Sequence, residues 1–332
     1  MPDAERALLA TIARMYYLDG LGQSEIADIV GVSRSTVSRQ LTAARERGIV
    51  RIAVDDVDPR HTDLEHALQQ RFGLRRVVVV RGLEGSAANA RKAVAYFSAS
   101  IVGSWIAHAA TIGVAGGRTL GLMTQFMEPH PIPAVATPEI VQLMGTVGPA
   151  PSNVDASEIA RALARRLHGS IQTINAPAYM DDSQSRDLLL AHRQIRTVRD
   201  TFAHLDVALI GIGTPIDSLF ADRQSFSPHD HVALQEAGAV GEICGRFFDA
   251  RGRECDSPYR DRVIGVDLAT LRQAGEVIAI TAGVSKQAAV TAALRGGLVH
   301  SLVIDEAGAA VILNGLHATR ARRQPTPRSP SV

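Results

Sequence analysis

The chain has 332 residues, of which 46% are hydrophobic and 21% are charged, and its formal net charge is +1. This composition is ordinary for a globular protein and excludes wholesale disorder, a collagen-like repeat and a disulfide-stapled miniprotein. Because the charges nearly cancel and aromatic residues make up only 4%, neither a globally basic coat nor a surface of stacking rings is expected. The length allows two domains, or one small module on a larger one.

The number of cysteines and the length of the apolar runs indicate the cellular compartment in which the protein acts. Cys244 and Cys255 are too few for a metal tetrad, and their spacing matches no redox motif. No basic-then-apolar leader opens the chain, and the longest apolar runs have the length of strands, well short of a membrane span. We therefore expect a cytoplasmic protein with no membrane partner.

The basic residues are strongly biased towards arginine. Of the 35 basic residues only Lys92 and Lys286 are lysines, and the other 33 are arginines. A GC-rich genome, which favours arginine codons, explains the bias. The alternative is that a lysine surviving this bias is needed as a compact ammonium group, which arginine cannot replace.

Three short helices are predicted at the start of the chain, over residues 4–17, 23–30 and 33–47. Residues 49–54 alternate in the manner of a strand and predict a short wing. A charged connector that ends at Pro59 follows.

The second and third helices have the spacing of a helix-turn-helix. Ala27 is small enough for close helix packing, and Gly31, four residues later, suits a turn that requires positive φ. Ser33 is a favourable N-cap for the third helix. The residues expected to face the core of this module are Ile26, Ile29, Val37 and Leu41.

The outward face of the third helix is predicted to bind DNA. It carries arginines and short hydrogen-bonding side chains, which suit base edges and phosphates in a major groove. The candidate residues are Ser33, Arg34, Ser35, Thr36, Ser38, Arg39 and Gln40. Residues 31–51 hold five arginines against a single acid, Glu46. The alternative is an ordinary three-helix module whose polar face is merely solvated.

One module of this size makes too little contact for high specificity, so such modules normally act in pairs. We therefore expect a homodimer or homotetramer that binds double-stranded operator DNA with inverted-repeat-like half-sites. Its affinity should fall steeply with salt, because phosphate contacts release counterions.

Beyond residue 74 strand-length apolar runs alternate with helical stretches. Strands are predicted at 76–80, 111–115, 140–144, 173–175, 207–211, 263–266, 277–281 and 302–304. Helices are predicted at 87–108, 155–168, 183–203, 229–237, 285–295 and 306–314. The alternation predicts a parallel or mostly parallel sheet covered on both faces.

The predicted fold class is α/β, with an N-terminal helical helix-turn-helix (winged) module and a large Rossmann-like, mostly parallel α/β effector domain. The predicted boundaries are 1–56 for the DNA-binding module, 57–73 for a linker helix, 74–318 for the effector domain and 319–332 for a disordered tail rich in arginine and proline.

Three loops of small residues follow predicted strands, where ligands bind in open α/β sheets. Their notable residues are Gly116, Gly117, Arg118 and Thr119 in the first loop, Gly211, Gly213 and Thr214 in the second, and Gly283 and Lys286 in the third. Each loop alone is explained by a structural turn. Three together, two of them with a cation at a helix start, predict a site for phosphate or a polyol.

Cofactor and metal sites are not predicted. The glycines of the first loop do not match the dinucleotide pattern, and no acid ends a second strand at the expected distance. A metal at His229, Asp230 and His231 is the less favoured interpretation, because these residues suit a capped or decorated loop.

With these motifs the chain resembles the SorC-type sugar-responsive bacterial transcription regulators, from the helix-turn-helix to about Leu313. The segments that carry the resemblance are 113–119, 141–145, 206–213, 238–249, 263–268, 282–286 and 302–306. It implies an effector domain similar to the fold of ribose-5-phosphate isomerase and glucosamine-phosphate deaminase, with a phosphorylated sugar as ligand.

The resemblance also implies roles for individual residues. It implies that Arg118, Thr119 and Lys286 hold the phosphate, close to residues 211–214. The further ligands that it implies are Arg223 as a second basic group, and Glu242 with Asn153 or Asp155 for sugar hydroxyls. In this chain Arg118 stands where the family often has a threonine. A strand cap for Glu242 and a solvated side chain for Arg223 remain as alternatives.

The predicted function is regulation of a carbohydrate-catabolism operon by a phosphorylated sugar that shifts the oligomer between arrangements. The rival hypothesis is an active sugar-phosphate isomerase or deaminase with a DNA-binding appendage. That reaction needs a carboxylate base, and the candidates, Glu242 and Asp305, have no evident acid partner. We therefore predict no catalytic residue. A purely structural DNA-binding protein conflicts with the glycine-looped α/β domain.

Overall fold

The structure of the protein is a computed structural model that describes residues 3–53, 58–82, 86–127, 137–149, 152–222 and 227–321. The chain divides into two compact units, Met1–Asp58 and Pro59–Val332, which we call the small unit and the large unit. No helix within these described ranges is long and apolar enough to cross a membrane.

The small unit contains the three predicted helices, α1 (Asp3–Tyr17), α2 (Gln23–Val30) and α3 (Arg34–Glu46). The turn between α2 and α3 depends on Gly31, whose φ of 72° lies in the left-handed region. The apolar core of the unit consists of Leu9, Ile12, Ala13, Ile26, Ala27, Val37, Leu41 and Ala44.

Two predictions for the small unit are wrong. Ile29 is 60% exposed, because Ile26, Ala27 and Val30 form the face of α2 that packs on the core. No wing is formed by residues 49–53, and position 54 lies outside the described residues. Ile49 and Val50 instead pack against the core, and both of their amides donate to the Ala44 carbonyl. With no partner strand, a hydrogen-bonded ladder cannot form.

The large unit contains a seven-stranded, entirely parallel sheet among its described residues, which confirms the predicted fold class. Its strand order is β1-β9-β8-β5-β2-β3-β4. The strands are β1 (Arg76–Val80), β2 (Thr111–Val114), β3 (Glu139–Gln142), β4 (Ser170–Gln172), β5 (Val207–Ile210), β8 (Glu276–Ile280) and β9 (Ser301–Asp305). Two short strands, β6 (Gly241–Ile243) and β7 (Arg246–Phe248), form a separate antiparallel hairpin.

Helices cover both faces of the sheet. They are α4 (Thr62–Phe72), α5 (Ala87–Ile106), α6 (Arg118–Phe126), α7 (Ala156–Leu167), α8 (Ser183–Ala191), α9 (Arg193–Thr201), α10 (Leu219–Asp222), α11 (Pro228–Glu236), α12 (Leu268–Arg272), α13 (Gln287–Arg295) and α14 (Glu306–Ala321). Successive strand residues alternate between two apolar clusters. Val77 and Val79 belong to one cluster, and Val78 and Val80 belong to the other. Both faces of the sheet are therefore buried.

Two of the predicted strands are wrong, and the β6–β7 hairpin was not predicted. The fourth sheet strand is 170–172 rather than 173–175. Residues 263–266 form only isolated bridges, from Val263 to Tyr179 and from Gly265 to Met144, so no ladder develops. The predicted helix 183–203 is two helices separated at His192, whose backbone is extended.

The predicted linker region contains α4, which packs on β1 as part of the large unit. Leu68 is fully buried in the larger cluster, and a carboxylate oxygen of Glu65 accepts a 3.0 Å hydrogen bond from the Val79 amide. At the other end, α14 extends to Ala321, into the predicted tail. The remainder of that tail lies outside the described residues.

The sheet reverses its winding between β2 and β5. These strands are parallel neighbours, with Ile112 opposite Val207. The chain leaves β2 towards β3 on one side and leaves β5 towards β8 on the other. The loops after β2 and β5 therefore diverge, and a crevice opens at the carboxyl ends of these strands.

Candidate functional site

The first candidate site is the outer face of α3 in the small unit. Ser33, Arg34, Ser35, Ser38 and Arg39 are exposed, whereas Thr36 and Gln40 are half-buried. On the opposite side of the helix Val37, Leu41 and Ala44 are buried. The structure therefore brings all seven predicted DNA-binding residues to the start of one helix.

Ser33 fixes the start of this helix. Its hydroxyl accepts a 3.1 Å hydrogen bond from the Thr36 amide, and it lies 2.8 Å from the hydroxyls of Ser35 and Thr36. A guanidinium nitrogen of Arg39 is 3.4 Å from the Thr36 hydroxyl. The predicted N-cap is thus confirmed, and a chain of hydroxyls joins the cap to Arg39.

The charge on this face is positive. No acid lies in the first turn of α3, and Arg34, Arg39 and Arg45 are exposed. Arg47 pairs with Glu5 on α1 at 2.5 Å. The exposed guanidinium groups of α3 are therefore spread along the helix. Arg34 lies in the first turn, where the helix dipole also favours anions, and Arg45 lies in the last turn.

The second candidate site is a small cavity of about 40 Å³ in the large unit, at the crevice between β2 and β5. Residues 116–120, 211–213 and 217–220 line it, together with side chains from β6 and from the loop after β8. Its polar side chains are Arg118, Thr119, Asp217, Ser218, Glu242 and Lys286. The cavity thus joins the three predicted glycine loops, because their strands are neighbours in the sheet.

Arg118 and Thr119 are the first two residues of α6. The Gly121 amide donates to the Gly117 carbonyl at 2.8 Å, so the amides of the first three helical residues lie ahead of the first intrahelical hydrogen bond. Such a helix start favours an anion. Arg118 adds a fixed positive charge there, and its guanidinium forms an ion pair with Asp217.

Lys286 reaches the same cavity from the loop after β8. Its side chain is buried, and Nζ donates a 2.7 Å hydrogen bond to the Ile212 carbonyl. Burial lowers the pKa of Lys286, while the negative charge of Asp217 acts against this shift. The ammonium group is therefore a poorly hydrated cation, which an anionic ligand would stabilise.

Glu242 lies on β6, beside the loop after β5. Its backbone exchanges two 2.9 Å hydrogen bonds with Gly213, and one carboxylate oxygen accepts a 2.5 Å hydrogen bond from the Gly245 amide. A Cβ at Gly213 would lie 2.5 Å from the other oxygen, so only glycine leaves room for this carboxylate. Burial raises the pKa of Glu242 to about 7, although the Gly245 hydrogen bond and the charge of Lys286 act in the opposite direction.

Several predicted ligand residues do not line the cavity. Asn153 is exposed, and the Asp155 carboxylate accepts a 2.7 Å hydrogen bond from the Ser152 amide. The Thr214 hydroxyl accepts from the Asp217 amide at 2.9 Å, and the Gly283 amide donates to Asp305 at 2.7 Å. Arg223 lies outside the described residues.

Sequence analysis missed three residues around the cavity. Asp217 pairs with Arg118, and Ser218 and Cys244 lie in the cavity wall. It also missed Arg91 of α5, whose charge lowers the pKa of both Asp217 and Lys286. The acid four residues after Gly213 was a local signal for Asp217. No local signal marks Arg91, because α5 reaches the site only through the fold.

A larger cavity of about 740 Å³ lies beside the carboxyl ends of β3 and β4. Its wall includes Ser157, Arg161, Asn175 and Tyr179, and Phe220 lines both cavities. A volume of this size accommodates a small organic ligand. The two cavities are thus neighbours that share one aromatic side chain.

Two acidic residues considered in the sequence are structural. Asp230 accepts hydrogen bonds from the Ser227 amide and hydroxyl and from Tyr179, and it pairs with Arg262. The two carboxylate oxygens of Asp305 accept from the amides of Gly283 and Gly308. Within the described ranges no group of three or more His, Cys, Asp or Glu side chains is placed to hold a metal ion.

Comparison with known proteins agrees with this architecture. Residues 59–314 match the family model described as "Putative sugar-binding domain", and residues 11–47 match sigma-70, region 4. The deoxyribonucleoside regulator of Bacillus subtilis is 29% identical over 95% of this chain and 100% of its own length. The sorbitol operon regulator of Klebsiella pneumoniae is 28% identical over 92% of this chain and 97% of its own length.

The crystal structure of the full-length sorbitol operon regulator SorC from Klebsiella pneumoniae has a similar fold. Its TM-score is 0.72 at 27% identity, and the match covers 92% of this chain and 98% of that one. The family model alone covers more than half of the chain. The chain therefore belongs to the SorC-type family of sugar-binding transcriptional regulators.

Proposed function

We propose that the protein regulates a carbohydrate-catabolism operon, that its small unit binds operator DNA through α3, and that a phosphorylated sugar bound in the large unit controls this activity. The observation that carries the ligand class is the convergence of Arg118, Lys286 and the first amides of α6 on one crevice. Two cations and a helix start favour a compact, doubly charged anion over a neutral sugar.

Glu242 gives the same crevice a hydrogen-bond acceptor. Its carboxylate is buried and lies close enough to Lys286 to feel the charge of that residue. A polyol hydroxyl donates well to such a group, and an ionised acceptor makes a stronger hydrogen bond than a neutral one. We assign the phosphate to the Arg118 and Lys286 side of the crevice and the sugar hydroxyls to Glu242.

A thermal-shift screen of the full chain tests the ligand class. Pentose and hexose phosphates should raise the Tm, whereas the same sugars without phosphate should not. A ligand at 100 times its Kd adds about 2.7 kcal/mol to the free energy of unfolding. Stabilisation by unphosphorylated sugars alone would contradict the proposed ligand class.

Lys286→Ala tests the site itself. We expect it to abolish the shift produced by the best sugar phosphate and to leave operator binding intact, because Lys286 belongs to the large unit. Lys92→Ala is the matched control, since Lys92 is exposed on α5 and lines neither cavity. Loss of operator binding by Lys286→Ala without any ligand would contradict this assignment.

The DNA-binding half of the proposal depends on α3. Arg39→Ala should weaken operator binding by roughly 1–3 kcal/mol if Arg39 contacts a base edge, as measured by fluorescence anisotropy at fixed salt. The control is Arg272→Ala, an exposed arginine of α12 in the large unit. The ligand-induced Tm shift should be the same in both variants. Equal operator affinities for Arg39→Ala and the parent chain would remove α3 from the interface.

We further propose that the protein acts in the cytoplasm as a homodimer or homotetramer on half-sites arranged as an inverted repeat. Two modules on paired half-sites supply the contact area that one lacks. Phosphate contacts from several arginines make the affinity depend on salt. An operator affinity independent of salt would contradict this mode of binding.

We propose regulation rather than isomerase or deaminase activity. Both carboxylate oxygens of Asp305 accept backbone hydrogen bonds, which favours a structural role for this residue over that of a catalytic base. Incubation of the full chain with pentose and hexose phosphates, followed by product analysis, should show no turnover. Turnover that Glu242→Gln abolishes would overturn this part of the proposal.

A further inference from the structure

The crevice already contains an anion that belongs to the protein. The Arg118 guanidinium forms an ion pair with the Asp217 carboxylate, and both side chains are mostly buried. Lys286 also has a protein partner, since its Nζ donates to the Ile212 carbonyl. Both cations that line the cavity therefore already have a protein partner.

Asp217 is presented by a tight turn. The Thr214 amide donates to the Asp217 carbonyl at 3.0 Å, and the Asp217 amide donates to the Thr214 hydroxyl at 2.9 Å. The tip of this turn, Ile216, is 86% exposed. The carboxylate therefore extends into the crevice from a surface turn, whereas Arg118 and Lys286 stand at helix starts.

The charges around Asp217 are those that a phosphate would meet. Burial raises the pKa of this carboxyl group, but the hydrogen bond from Arg118 and the charges of Lys286, Arg118 and Arg91 together hold it below its usual value. The group is thus an anion at neutral pH. Its surroundings stabilise negative charge at the place assigned to the ligand.

We propose that Asp217 is a specificity-determining residue that competes with the ligand: its carboxylate neutralises Arg118 in the unliganded protein, and the phosphate of the ligand displaces it. This inference rests on the proposed function, because it takes the crevice to be the phosphate site. A ligand must exchange a protein carboxylate for its own anion. A neutral sugar gains nothing from that exchange, and a singly charged carboxylate gains little. A phosphate, with close to two charges and three acceptor oxygens, gains most.

Inorganic phosphate is the probe for the test, because it contains the competing group and nothing else. Phosphate titrations of the full chain, followed by Tm, should show about tenfold tighter binding by Asp217→Asn than by the parent. Tenfold is the order of one charge-assisted hydrogen bond. Asp217→Glu retains the charge and should bind phosphate as weakly as the parent. Asp200→Asn, an exposed acid on α9, is the neutral control and should also behave as the parent.

The remaining outcomes separate this inference from the proposed function. If Asp217→Asn binds phosphate no tighter than the parent, while Lys286→Ala abolishes the binding, the competition is overturned and the phosphate site stands. If neither the parent nor any variant responds to phosphate or to sugar phosphates, the competition by Asp217 and the proposed phosphate site are both overturned. Should Asp217→Asn fail to fold without ligand, Asp217→Ser supplies the same comparison. If phosphate but not chloride restores the folding of Asp217→Asn, the result would support competition between Asp217 and phosphate. In that case a phosphate ion from solution neutralises the Arg118 charge in place of the Asp217 carboxylate.

Discussion

At the scale of single residues, Glu242 is a carboxyl group whose negative charge the fold disfavours. Burial raises the pKa of its carboxyl group from 4.5 to about 7. The folded protein therefore keeps this proton at pH values where the unfolded chain has lost it. Because the folded state binds more protons over that interval, the contribution of Glu242 to stability falls as the pH rises from about 4.5 to 7.

Replacement of Glu242 by glutamine should reverse this loss. Glutamine keeps an oxygen to accept the Gly245 hydrogen bond and removes the charge. We expect the Tm of Glu242→Gln to approach that of the parent near pH 4.5 and to exceed it at pH 8, with a gain in unfolding free energy of up to about 3 kcal/mol. Thermal melts of the ligand-free chain across this pH range measure the difference.

The control for this prediction is Glu236→Gln, an exposed acid on α11. Its Tm difference from the parent should not change over the same pH range. A Tm difference between Glu242→Gln and the parent that is independent of pH would show that the Glu242 carboxyl has an ordinary pKa in the folded protein.

At the scale of elements, α3 shows how a local signal fixes a functional surface. Ser33 caps the helix through the Thr36 amide, and the cap sets which residues form the first turn. The exposed residues of that turn, Arg34 and Ser35, are candidates for DNA contact. Stability of the cap and presentation of the DNA-binding face are therefore coupled.

Ser33→Ala should destabilise the small unit. Loss of a serine N-cap costs about 1 kcal/mol, which in a domain of this size lowers the Tm by roughly 4–8 °C. Circular dichroism or calorimetry of the full chain measures the effect on the transition of the small unit. Ser24→Ala, an exposed serine in the first turn of α2, is the control. Equal destabilisation by both variants would mean that the Ser33 cap contributes nothing specific.

Short strands were predicted less well than helices. The hairpin β6–β7 pairs Glu242 with Phe247 across only three residues on each side, and sequence analysis missed it. The predicted wing, 49–54, found no partner over its described residues. A strand is stable only when another strand completes its hydrogen bonds, so short strands cannot be assigned from alternation alone.

At the scale of the whole molecule, the order of the strands assembles the ligand site. Arg118, Asp217 and Lys286 follow β2, β5 and β8, which are adjacent in the sheet although they are far apart in the chain. The reversal of winding between β2 and β5 opens the crevice between them. The site is therefore a property of the topology, and each loop contributes only a part.

The division into two units predicts two thermal transitions. A sugar phosphate at 100 times its Kd should raise the transition of the large unit by roughly 5–10 °C, the equivalent of about 2.7 kcal/mol. The transition of the small unit should stay where it is. Differential scanning calorimetry of the full chain, with an unphosphorylated sugar as control, measures both. One cooperative transition shifted as a whole would contradict two independently stable units.

The sequence by itself determined the features that depend on neighbours along the chain. Helix spacing, the Ser33 cap and the Gly31 turn predicted the helix-turn-helix, and alternating strands and helices predicted the parallel α/β fold. The glycine loops with Arg118 and Lys286 marked most of the ligand crevice. Periodicity, capping and turn chemistry act over a few residues, so sequence analysis can recognise them.

Only the tertiary structure decided which groups meet. It exposed Ile29 and left Asn153 and Asp155 outside the small cavity, and it placed Asp217 against Arg118. It also set the burial that raises the pKa of Glu242. These features depend on distances between residues that lie far apart in the chain. Strand order and packing fix those distances, and no local pattern encodes them.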